Sequence, residues 1–99
     1  MKIRSGAFTI CMHRGFYGVP RLMLVIDGNF NRWIFVCIFD DEMEEYADFY
    51  RVYPVAQDVP DAEAISRHLT GDQKHGEAMV PVSVMHFDES NRRNFLLDA

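Results

Sequence analysis

The chain has 99 residues and a mass of 11.5 kDa, which sets the expectation of one domain over 1–99, since two half-size cores would each bury too little surface. Hydrophobic residues make up 48% and charged residues 25%, a balance that excludes a disordered polar chain. The longest apolar run, Trp33 to Phe39, has seven residues against about 20 for a membrane-spanning helix. Charge is unevenly spread within the net −5: residues 1–32 set five Lys/Arg against Asp27 alone, and 40–63 set nine Asp/Glu against Arg51 alone. A net acidic surface repels phosphate backbones, so neither nucleic acid nor membrane is expected as a partner.

In chain order, 2–12 alternates loosely, with Phe8, Ile10 and Met12 sharing one face, and is expected as a first strand. His13 to Pro20, punctuated by two glycines and a proline, reads as a loop, followed by a strand from Arg21 to Ile26. Asp27-Gly28 is a turn signal leading by a hairpin into a strand from Arg32 to Phe39. The segment 41–50 fits either a helical stripe or an acidic turn at 40–45 with a strand at 46–55; the density of aromatic and β-branched residues at 46–53 favours the strand. Asp61 to about residue 70 reads as a helix, with Pro60 before it, acids in its first turn and Gly71 after it, burying Ala62, Ile65 and Leu69. A strand at 78–87 follows, with Pro81 marking an edge or a bulge, and 92–98 is expected as a last strand rather than a short helix.

Together these elements predict an α+β fold: an antiparallel, twisted sheet or partly open β-barrel of five to six strands, with one helix on one face. The strands at 21–26 and 32–39 are apolar at both parities, the pattern of strands buried front and back. One short helix shields a single face, so either the sheet curls on itself or a second copy packs against it. On that ground a homodimer, self-associating through an apolar sheet face, is expected.

Cys11 and Cys37 are too few for a disulfide scaffold and read as buried free thiols of a cytoplasmic protein, consistent with an N-terminus lacking a signal-peptide pattern. Arg14, Phe16 and Tyr17, between glycines, have the composition of a contact loop, and Phe30 adds a ring on a tight turn. These rings either cap the end of the core or form the site for a protein partner. The alternative is a small-molecule pocket, inside the barrel or at a dimer seam, with Tyr50, Tyr53 and His86 as its polar groups. No nucleotide-binding, hydrolase or metalloprotease motif is present, which argues against an enzyme without closing the question. Cys11, His13, Cys37 and His86 follow no zinc spacing, and the acidic run 40–45 lacks EF-hand spacing, so neither metal nor cofactor is expected.

Overall fold

The structure, a computed structural model, describes residues 4–17, 19–69, 78–87, 90 and 93–98. Among the described residues, nine strands and one α-helix follow in the order β1 (Gly6–Tyr17), β2 (Val19–Ile26), β3 (Arg32–Val36), β4 (Phe39–Asp40), β5 (Glu45–Tyr46), β6 (Phe49–Val55), α1 (Asp61–Leu69), β7 (Ala78–Pro81), β8 (Met85–Phe87) and β9 (Asn94–Leu97). Seven of the strands form one antiparallel sheet in the order β7-β6-β3-β2-β1-β9-β8, and β4 and β5 form a separate two-stranded ribbon. The class is the expected one, with more strands than the five to six expected.

Closure of the sheet turns on Pro81. It has no N–H to continue a ladder, and the chain breaks there into a single 3-10 turn, Val82–Val84. The Val82 N–H bonds the Asp48 carbonyl beside β6, and the Val84 carbonyl accepts from Asp98 beside β9. One short segment therefore leaves one edge of the sheet and joins the other, giving a nearly closed barrel. The continuous strand expected at 78–87 is thus two strands on opposite edges.

The two faces of β2 and β3 bury different partners. Met23 and Val25, with Trp33 and Phe35, point inward with Phe8, Tyr50, Phe95 and Leu97. Phe35 lies at the middle of this cluster, edge-on to Phe8, Tyr50 and Phe95 at 5.5 to 5.9 Å between ring centroids. Leu22, Leu24 and Ile34 point outward and are covered by Ala64 and Ile65 of α1, with Tyr53. Both faces are covered within one chain, so the reason given for a second copy, an uncovered sheet face, no longer holds.

Local details differ from the sequence reading for identifiable reasons. The register of β1 against β2 shifts between Ile10 and Met12. That bulge sends Met12 to the helix side while Phe8 and Ile10 stay inside. Cys11 is the bulged residue and is exposed, whereas Cys37 is buried as expected. The helix buries Ala64 rather than Ala62, and the side chain of Leu69 lies outside the described residues. Its start is tied down by Arg32 of β3, which donates to Asp61 at 2.6 Å and to the Ala56 carbonyl at 2.7 Å.

Tyr50 is fully buried, and its hydroxyl donates to the carbonyl of Pro20 at 2.8 Å. Burial pushes its phenol pKa far up, so it stays a donor throughout the working pH range. Phe in place of Tyr50 removes this bond to the Pro20 carbonyl, and the expected loss is about 0.5–1.5 kcal/mol in a urea unfolding titration. An unchanged midpoint would show that this bond does not matter to the fold.

Candidate functional site

The segment expected as a loop at 13–20 is instead the distal part of a long hairpin. Arg14 pairs with Leu22, Phe16 with Pro20 and Tyr17 with Val19. Gly15 makes this possible: its φ of 64° is a left-handed conformation inside a strand. Arg14 is exposed, and its guanidinium donates to the His13 carbonyl. The side chains of Phe16 and Tyr17, and the turn residue Gly18, lie outside the described ones.

Phe30 lies past the other end of β2, and from Leu22, opposite Arg14, to that end at Ile26 is already roughly 13 Å, so it forms no joint site with Arg14. Its turn is a three-residue hairpin loop: the Phe30 N–H bonds the Asp27 carbonyl, and the Asp27 N–H bonds the Asn31 carbonyl. In such a loop the third residue takes the left-handed conformation and is usually glycine. Here it is Phe30, at φ 64°, with its side chain 77% exposed. The only glycine of the turn, Gly28, sits where no positive φ is needed.

Asp27 holds this turn together. One carboxylate oxygen accepts the N–H groups of Asn29 and Asn31, both at 2.9 Å, and the other accepts the indole N–H of Trp33 at 3.1 Å. Partial burial pushes the carboxyl pKa up, but the hydrogen bonds from Asn31, Trp33 and Asn29 outweigh it and hold the group below the usual carboxylate range. The same side chain thereby links the exposed turn to the buried Trp33. Beside it lies an open hollow of about 600 Å³, lined by Arg4, Ser5, Gly6, Gly28, Asn29 and Asn31.

Tyr50, Tyr53 and His86 are not brought together. Tyr50 points into the barrel and Tyr53 to the opposite face, under the helix. His86 is exposed on β8, because the 3-10 turn interrupts the strand alternation between 78 and 87. The barrel interior, where a ligand cavity would sit, is filled by Phe35, Tyr50, Trp33, Phe95 and Met23, all essentially inaccessible. Among the described residues, no three His, Cys, Asp or Glu side chains group as metal ligands. The Cys37 thiol is pushed up by burial, against the opposing pull of Arg21, whose guanidinium lies 3.6 Å from its sulfur. The Cys11 thiol is also raised, chiefly by partial burial. Neither is an activated nucleophile.

The sequence reading missed the β4–β5 ribbon. It assigned Ile38 and Phe39 to a buried strand, but β3 ends at Val36, and both side chains are exposed. The signal was present in the acidic residues that follow at once, since a hairpin end so charged carries its neighbours into solvent. Arg21 reaches this ribbon, with its guanidinium 4.9 Å from the centre of the Tyr46 ring.

Fold and surface together define an α+β protein with a packed, nearly closed antiparallel barrel and exposed apolar side chains at both ends. Comparison with protein-family models, with curated proteins and with solved structures finds no match for this chain. No helix among the described residues is long and apolar enough to cross a membrane.

Two measurements check the account of the turn. Phe30→Gly relieves the left-handed strain and is expected to raise stability by about 0.5–1 kcal/mol, whereas Phe30→Ala keeps the strain and gains nothing comparable. Equal effects of the two substitutions in chemical unfolding would contradict the backbone argument. Asp27 has a folded pKa below its unfolded value, so its stabilisation is complete above about pH 4 and fades as pH drops through the folded pKa. The stability gap between wild type and Asp27→Asn should therefore narrow below about pH 4. A gap that stays constant to the lowest pH would remove the ionised carboxylate from the explanation.

Proposed function

We propose that this is a binding protein without covalent chemistry, which engages a protein partner through the aromatic turn at Phe30. A large, rigid ring on the surface is the kind of side chain that anchors an interface. The observation that carries the reading is the position of that ring: it is almost wholly exposed and held at a positive φ that folding alone would give to glycine. A non-glycine residue kept in a costly conformation at a surface tip is more readily explained by contact with a partner than by the stability of the free chain. The Arg14–Tyr17 arm, at the far end of β2, belongs to the proposal as a second contact region. The free thiols of Cys11 and Cys37 suit a reducing compartment, in keeping with a cytoplasmic placement.

A small-molecule pocket has less support, since side chains fill the barrel interior and the hollow beside Asp27 is open to solvent. A second copy of the chain remains a candidate occupant of the turn, now through its end rather than through a sheet face.

The test places a photo-crosslinking phenylalanine derivative at position 30 and, as a control, at the exposed position of Leu96, in the cells that make the protein. The expected result is a discrete adduct at position 30, either with one partner or at twice the chain mass, and none at position 96. Matching adduct patterns at both positions would overturn the proposal.

A further inference from the structure

Past Val36 and Arg51 the β3–β6 hairpin continues as the β4–β5 ribbon, with Phe39 opposite Tyr46 and the Ile38 carbonyl accepting from the Ala47 N–H. Three large apolar side chains face solvent on it: Ile38 at 41%, Phe39 at 46% and Met43 at 66% exposure. Phe39 packs the edge of its ring against Tyr46, at 5.1 Å between centroids, and Arg21 covers that Tyr46 ring from strand β2. The ribbon is therefore braced against the barrel while its apolar side chains stay in water. Acids surround them: Asp41, Glu42, Glu44, Glu45 and Asp48 are all exposed, Asp40 adds a further charge, and no Lys or Arg occurs from 38 to 48.

We infer that Ile38, Phe39 and Met43 form a docking surface for a basic amphipathic segment of another protein, with two or three apolar anchors flanked by Lys or Arg. Two considerations select this occupant. Even summed, the three side chains expose only on the order of 300 Å² of apolar surface. That is well short of the roughly 800 Å² per partner of a standard interface, so it suits a short segment better than a second copy. The acids gathered on the ribbon also oppose its pairing with the same ribbon of a second copy, as they oppose a nucleic acid or an anionic membrane there. The acids steer a cationic segment in, and the apolar contacts then hold it. The inference extends the binding-protein reading to a different surface and does not depend on Phe30.

Fluorescence anisotropy with a short labelled peptide of Lys and Leu, amphipathic as a helix, tests it in about 0.15 M salt. A Lys-only peptide and a Glu–Leu peptide are the comparators. The Lys–Leu peptide is expected to bind, with amide shift changes confined to 38–48 and its near neighbours, and the other two to bind at least about tenfold more weakly. Met43→Ser and Phe39→Ser should each weaken binding several-fold. Met43→Ser serves if loss of the Phe39–Tyr46 contact unfolds the ribbon, and Leu96→Ser, at an exposed position away from the ribbon, should leave binding unchanged. Equal binding of the Lys-only peptide, or Met43→Ser binding as well as wild type in a folded protein, would overturn the inference. So would a concentration-dependent dimer that Met43→Ser abolishes, because the occupant would then be a second copy. Failure here leaves the crosslinking result at position 30 untouched, and the reverse also holds.

Discussion

Burial of β2 and β3 on both faces is the constraint from which the rest of the architecture follows. Their inward side chains, Met23, Val25, Trp33 and Phe35, require a second layer, and the chain supplies it by curling the sheet until Phe8, Phe95 and Leu97 of β1 and β9 face β6. Their outward side chains, Leu22, Leu24 and Ile34, require another, and α1 is placed over them with Ala64 and Ile65. A helix of nine residues is just long enough for that strip of three strands, which explains why it is pinned at its start by Arg32 and Asp61. Ala64 lets it approach closely, and Ile65 fills the space.

This arrangement consumes the large apolar residues of the middle of the chain and leaves the ends of the hairpins to do other work. Among the described residues, the two positive-φ residues that are not glycine, Phe30 and Glu44, both lie in hairpin turns, at opposite ends of the barrel. Four of the six exposed large apolar side chains among the described residues lie in these turns or on the β4–β5 ribbon: Phe30, Ile38, Phe39 and Met43. The charge asymmetry of the sequence takes a physical form there too: Arg32 is spent on the helix, Arg21 on Tyr46, and the acidic run remains in solvent. A barrel whose interior is full can offer its surface to partners without risk to its core, since the contact residues and the stabilising residues are different sets.

The sequence revealed the elements whose signals are local. The helix at 61–69 was legible from Pro60, Asp61 and Glu63, the two-faced strands from their unbroken apolar runs, and the weak point at Pro81 from its missing N–H. It misled where conformation depends on a partner. Two glycines and a proline at 15–20 suggested a loop, but Gly15 adopts its left-handed angle within a strand because β2 lies opposite to hold it. The alternation of Phe8, Ile10 and Met12 promised one face, and a single bulge at Cys11 divided it. His86 was separated from the pocket residues by the 3-10 turn, and Tyr50 and Tyr53, three residues apart, ended on opposite faces, as an uninterrupted strand requires.

What the amino-acid order determined by itself was the inventory: an α+β chain, strands needing cover on two sides, a short helix, and acidic and basic stretches set apart. What only the tertiary structure decided was who provides the cover and what is left over. Periodicity records how many faces of a strand are apolar, but says nothing of whether the layer against it comes from the same chain or another. That depends on the path of 78–87 between the two sheet edges, a long-range choice to which no local pattern responds. The exposure of Phe30, Phe39 and Met43 is the remainder after that choice, and so could be seen only once the barrel had closed.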